Sequence, residues 1–392
     1  MRSYHQTFVI LSIILFVMGG RGPVVRAQNF SAAVVYATGR APQGLAAVDI
    51  NRDSLADLLT VNSGSNTVSI LLNQRASPGT FNPVPLTFPT GGTYPVALAT
   101  ADVNKDGQPD IIVVNETSST VSVLLHSTTT ALFLPATTYS SGGVAPRGVA
   151  VGDVNNDGLP DIVLTTIGSN KIGVLLNSLI TPGTFSPVVP FSSGSVRPEG
   201  IVLADINGDT YPDILVANQR DNSVSLLLNS PKKLGKFLTG SSYTSSGSTP
   251  RGIGISDLNG DGRPDVALTN EATGSVAILL NSPTKKGDFS NAVTYASGAA
   301  NPVGIALGDV NGDKQPDVVV ADYGAKKGTI LCILLNSPSS PGTFSAPPAI
   351  YESNGLGPHD VILQDLNGDG FLDIATTNLG SNTVGVLLNV FK

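Results

Sequence analysis

One nine-residue pattern recurs seven times in this chain and constrains the fold more than any other feature. The segments read DINRDSLAD, DVNKDGQPD, DVNNDGLPD, DINGDTYPD, DLNGDGRPD, DVNGDKQPD and DLNGDGFLD. They begin at Asp49, Asp102, Asp153, Asp205, Asp257, Asp309 and Asp365, so successive copies are 53, 51, 52, 52, 52 and 56 residues apart. A Pro-x-Gly and a short apolar run such as GVAVGD precede most copies, and a β-branched run such as DIVLTT follows. Then come a polar turn, a VSVLLN-like run, a Gly-x-Phe and a segment ending in Tyr or Phe. A period of this length marks stacked units, none of which can bury its own apolar faces alone.

Each apolar run is short, rich in Val, Ile and Leu, and bounded by Gly, Asn, Ser or Pro, which are the signals of strands. Four such runs fit into each unit, with no room for a helix. The expected fold is therefore all-β, a seven-bladed β-propeller of four-stranded antiparallel blades over residues 28–392. The chain ends support ring closure. After Asn389 only Val-Phe-Lys remains, so the seventh unit lacks its last strand. That strand stands instead at residues 30–39, FSAAVVYATG, which matches FSNAVTYASG at 289–298. The N-terminal strand is expected to complete the last blade and hide two sheet edges. The aromatics Tyr36, Phe88, Tyr139, Phe191, Tyr243, Tyr295 and Tyr351 recur once per unit and read as packing between blades.

Residues 1–27 read as a signal peptide: Arg2 and His5, an apolar core from Phe8 to Met18, then Val25-Arg26-Ala27 before the cleavage point. The core is shorter than the ~20 residues of a spanning helix, and the mature protein is expected to be secreted, without a transmembrane anchor, and monomeric. Cys332 is the one cysteine, so no intrachain disulfide can staple the fold. Cleavage removes three arginines and no acid, which leaves 19 basic against 29 acidic residues, a net charge of −10. No basic stripe or motif points to nucleic acid.

The repeated loops hold 21 of the 29 acids. Carboxylates at this density repel and shift upward in pKa unless something compensates them. Lysine or arginine occurs in only four loops, as Arg52, Lys105, Arg263 and Lys314. A hard dication with oxygen ligands is the economical answer, and calcium, with its flexible shell of six to eight oxygens, suits the pattern better than magnesium. The expected ligands of the first three loops are Asp49, Asn51, Asp53 and Asp57; Asp102, Asn104, Asp106 and Asp110; and Asp153, Asn155, Asp157 and Asp161. The fourth and fifth offer Asp205, Asn207, Asp209 and Asp213, and Asp257, Asn259, Asp261 and Asp265. The last two offer Asp309, Asn311, Asp313 and Asp317, and Asp365, Asn367, Asp369 and Asp373. Ser54, Thr210 and Lys314 stand where other loops have a turn glycine, so the loops at Asp49, Asp205 and Asp309 are expected to bind more weakly.

The D-x-N-x-D-G-x-x-D loop between strands, with its SNTVSVLLN-type strand and GTF, resembles the FG-GAP/VCBS repeat of the integrin α-subunit propeller. The resemblance covers residues 30–389. It implies a seven-bladed propeller whose calcium loop joins the first two strands of each blade, opposite the usual ligand face. This chain departs from the integrin pattern in carrying the loop in all seven units, and it has no tryptophan.

The residue after the repeated proline varies: Gln43, Val96, Arg147, Glu199, Arg251, Val303 and His359. These should ring the channel entrance, with Arg147, Glu199, Arg251 and His359 as the candidate ligand patch for an acidic sugar or a protein side chain. The sixth unit has a longer turn, where Tyr323, Lys326 and Lys327 could make contacts. His126 and His359 are the only histidines after residue 27, and neither lies near a nucleophile motif. The chain therefore reads as a non-catalytic adhesion or protein-interaction module with an extracellular protein or glycan ligand. A calcium-stabilised lectin is the alternative, and a polysaccharide lyase a further one.

Overall fold

The computed structural model describes residues 30–127, 132–230, 232, 235–238, 240–298, 300–324 and 328–390. The leader at 1–27, with its cleavage point, and the turn residues Lys326 and Lys327 lie outside them. The first blade is built from β2 (Pro42–Val48), β3 (Asp57–Asn62), β4 (Thr67–Leu71) and β5 (Leu86–Pro89), hydrogen-bonded in that order. Five further sheets repeat this plan. The seventh is completed by β1 (Val34–Ala37), which pairs antiparallel with Thr383–Leu387 in the register Val34 to Val386 through Ala37 to Thr383. The expected closure is present.

Strands shorten from seven residues at the inner edge to four at the outer edge, which gives each blade its wedge shape. Every inner strand carries a bulge just after its proline. Glycine follows two positions after proline in five blades because the next blade's backbone is close: a Cβ on Gly200 would stand 2.4 Å from the carbonyl of Arg251. The second strands are buried at every position, and the seven apolar clusters each span two neighbouring blades. The repeated aromatics do bridge blades. Tyr36, Phe88, Tyr139, Phe191, Tyr243, Tyr295 and Tyr351 each meet a Phe of the next unit edge to face, with centroids 5.3–5.7 Å apart. Each such pair contributes roughly 0.5–1.5 kcal/mol beyond its buried area. Cys332 is buried in this packing, and burial pushes its thiol up to about 12, so it behaves as a small apolar residue. No helix among the described residues is long and apolar enough to cross a membrane.

Candidate functional site

All seven acidic loops join the first two strands of a blade, and so lie at one end of the wheel. The backbone turns twice into the left-handed region in each loop. Position 4 has φ from 57° to 78° and position 6 from 69° to 86°. Arg52, Lys105 and Asn156 at position 4, and Ser54, Thr210 and Lys314 at position 6, adopt this conformation without being glycine, at a cost of about 1–2 kcal/mol each for all but the asparagine.

The side chains form one repeated network. The position-1 carboxylate accepts backbone N–H groups from further along its own loop: Asp153 takes those of Asp157 at 3.1 Å and Gly158 at 2.7 Å. The position-3 asparagine donates Nδ2–H to the position-5 carboxylate in all seven loops, at 2.8–3.2 Å. The position-5 carboxylate accepts the position-7 amide, as Asp157 does from Leu159 at 2.9 Å.

Position 9 works differently. Asp57, Asp110, Asp161, Asp213, Asp265, Asp317 and Asp373 are fully buried. One oxygen accepts the amide of position 2, and the other accepts the amide of the residue closing the third strand. Burial pushes Asp57, Asp110, Asp213, Asp265 and Asp373 up to about 6, Asp161 to about 7 and Asp317 to about 8, and the position-5 acid adds repulsion. From the sequence alone these carboxylates have no partner. The backbone amides in fact supply partners, although they do not cancel the charge.

A second clamp was hidden in the LLN motif. Its asparagine donates Nδ2–H both to its own loop and to the position-2 carbonyl of the preceding blade's loop, as Asn177 does to Pro160 at 2.9 Å and Val103 at 2.8 Å. Asn73, Asn229, Asn281, Asn336 and Asn389 repeat the interblade bond. The second blade has His126 at this place, and both of its ring nitrogens are buried without a partner. The asparagine that follows six of the seven LL pairs is the sequence signal for this clamp.

The side-chain donors at positions 1, 3, 5 and 9 of each loop are oxygens, the donor type a hard dication takes. In the fourth loop Asn207 Oδ1 is buried without a partner, an orphaned oxygen beside Asp205 and Asp209. Against this, no group of three or more His, Cys, Asp or Glu side chains converges on a metal-sized point among the described residues. The position-3 amide contact and the amides bound by position 9 occupy part of the donor set. An ion therefore has to exchange with the Asn Nδ2–Asp contact.

The opposite end of the wheel holds the variable residues. Gln43, Val96, Arg147, Glu199, Arg251, Val303 and His359 line one cavity of about 240 Å³ at the channel entrance, with Asp360. Arg147 Nη2 pairs with Glu116 at 3.2 Å, while Arg251 lies 3.1 Å from Glu199 and 3.5 Å from Glu271. The charges of this patch are thus balanced by Glu199 and by two acids that spacing did not reveal. His359 stands edge to face with Tyr323 at 6.1 Å. Burial, helped by Arg251 and Arg147, pushes the His359 ring down to about 3, so it is neutral. Asp360 replaces the repeat's glycine and accepts the amide of Leu45 in the first blade at 2.9 Å, joining the closure seam; burial pushes it up to about 6.

With this geometry in hand, comparisons with known proteins agree on the fold. A model of the FG-GAP-like repeat matches residues 49–113, 102–164, 153–216, 205–268, 257–320 and 309–376. No curated protein matches the sequence. Among solved structures, a chain of the BBS1N–ARL6DN complex is similar at 13% identity and a TM-score of 0.62, over 92% of this chain and 97% of that one. A functionally unknown protein from Desulfotomaculum acetoxidans aligns at 14% identity and a TM-score of 0.56, over 84% of this chain and 94% of that one. A putative 6-phosphogluconolactonase from Bacteroides fragilis aligns at 16% identity and a TM-score of 0.59, over 79% and 85%. At these identities the likeness is one of fold.

Proposed function

Because the chain belongs to the FG-GAP-like repeat family, we propose that it is a secreted, calcium-stiffened β-propeller acting as a non-catalytic adhesion or protein-interaction module. One observation carries this reading: the seven uniform acidic loops share one end of the wheel, and the residues that differ between blades face the other. A scaffold with a constant end and an individual end is built to present contacts, as loops on a rigid frame do. The leader-like residues 1–27 support export.

Positions 1, 3, 5 and 9 of each loop would hold calcium, which supplies the positive charge that the amides cannot. Extracellular calcium modules bind at ~10⁻⁴–10⁻³ M. At tenfold saturation each ion adds roughly 1.4 kcal/mol, and seven approach ~10 kcal/mol, comparable with a domain's net stability. Such ions take the place of disulfides. The loops at Asp49, Asp205 and Asp309 bind more weakly, since position 6 is not glycine there. Arg147, Glu199, Arg251 and His359 form the ligand patch at the channel entrance, suited by their balanced charges to a polar rather than a strongly charged group.

A lectin is the second reading, supported by the hydroxyl-lined surface near the fourth blade. The test is a calorimetric titration of chelator-treated protein with calcium. Saturable heat that weakens when Asp257 and Asp261 are replaced by alanine is expected, and a flat titration removes calcium from the account.

A further inference from the structure

The channel entrance is charge-compensated, and farther out on this face, on the fourth blade, two arginines without an ion pair among the described residues lie side by side. Arg197 and Arg220 are both exposed. Their turns are bonded to each other: the Gln219 amide donates to the Arg197 carbonyl at 2.9 Å. Arg197 sits at φ 57° directly before Pro198, and its amide is held by Asn170 Oδ1 at 2.9 Å. Neither guanidinium has an ion pair among the described residues. Asp221, next to Arg220, is engaged by the Ser195 hydroxyl and by the Val196 amide at 2.7 Å.

The two arginines border a depression of about 500 Å³ with Gln219, Asn222, Ser248 and Thr249. A second depression, of about 670 Å³, continues past Asn222, Ser248 and the carboxylate of Asp221 to Thr244, Ser246 and Thr273. Asn222 Oδ1 accepts the Thr249 amide at 2.8 Å, which fixes this side chain where the two depressions meet. No apolar side chain lines either depression among the described residues. Peptide recognition rests on buried aromatic and aliphatic anchors, and single-stranded nucleic acid on aromatic platforms; the groove offers neither. Guanidinium groups match a carboxylate in a two-pronged hydrogen bond, and a belt of hydroxyl and amide groups matches sugar hydroxyls.

We infer that this groove binds an acidic saccharide, with a carboxylate on Arg197 and Arg220 and ring hydroxyls on Asn222, Ser246 and Ser248. The inference rests on reading the end opposite the acidic loops as the recognition face. The test is biolayer interferometry in calcium buffer with a galacturonic acid trimer, its methyl ester and an aspartate-rich peptide as probes. The trimer is expected to bind, and the ester to bind about tenfold more weakly or worse. The Arg197→Ala/Arg220→Ala double variant should lose about tenfold or more, while Arg75→Ala, at the opposite end, binds like the parent. Because the ester comparison uses the parent protein, it holds even where the double variant folds poorly. Equal binding of trimer and ester, undiminished binding by a folded double variant, tighter binding of the peptide, or no binding of the trimer overturns the inference. A calcium-dependent melting temperature measured on the same sample separates the two claims: with it intact and the trimer unbound, the groove assignment falls and the calcium-stiffened wheel stands.

Discussion

His126 breaks the clamp that six other blades share, so replacing it with asparagine should stabilise the protein. In the other blades the asparagine amide reaches two carbonyls, one in its own loop and one in the preceding blade. His126→Asn places the same group opposite the carbonyls of Pro109 and Ile50. Two new hydrogen bonds contribute about 1 kcal/mol each, and removing an orphaned buried nitrogen returns about 1–3 kcal/mol. The edge contact between His126 and Phe133, with centroids 5.4 Å apart, is lost, which costs about 0.5–1.5 kcal/mol. The balance is a gain of about 3 kcal/mol, which multiplies the folded-to-unfolded ratio by roughly 150. Chemical denaturation at fixed calcium and neutral pH measures it, with Asn177→Ala as the opposite control. That variant leaves the carbonyls of Val103 and Pro160 unpaired and should lose about 2–3 kcal/mol. A His126→Asn protein no more stable than the parent, alongside a destabilised Asn177→Ala, would refute the clamp as the reason for the repeated asparagine.

Three further outcomes follow from the same geometry. In chelator, the buried position-9 acids have folded pKa values of about 6 to 8 against an ordinary 3.8. The folded state then binds more protons than the unfolded chain, so stability should rise as pH falls from about 7 toward about 4. His359, held near 3 against 6.5, opposes this with a single group of the other sign; urea midpoints that drop steadily over that window would contradict the burial argument. Deleting residues 28–39 removes β1 and exposes the edge at Thr383–Leu387; a loss of about 3 kcal/mol or more is expected, with faster proteolysis of the last blade as the readout. Arg251→Ala leaves Glu199, only 8% exposed, and Glu271 without their partner; a loss of about 1–3 kcal/mol in thermal or urea unfolding is expected.

The architecture was legible because its causes are local and repeated. Strand length, turn residues and the displaced FSAAVVYATG segment each occur in countable copies, so the number of blades and the closure followed from spacing. The candidate site was legible only as a list of residues. Position 9 looked like its three companions, yet its role depends on two amides, one of them 16 residues away at Asn73 for Asp57. The Arg147–Glu116 and Arg251–Glu199 pairs join different blades, 31 and 52 residues apart, and no motif encodes such a meeting. Two further signals stand in the sequence. Asn or Gly at position 4 of five loops marks the second left-handed turn, and the lone histidine among six asparagines marks the missing clamp.

The central claim is that calcium in the acidic loops stiffens a closed wheel. Differential scanning calorimetry of the same preparation, in millimolar calcium and again after chelation, tests it most directly. The account predicts a melting temperature that climbs with calcium concentration and collapses on chelation. One transition at the same temperature in both buffers would contradict it.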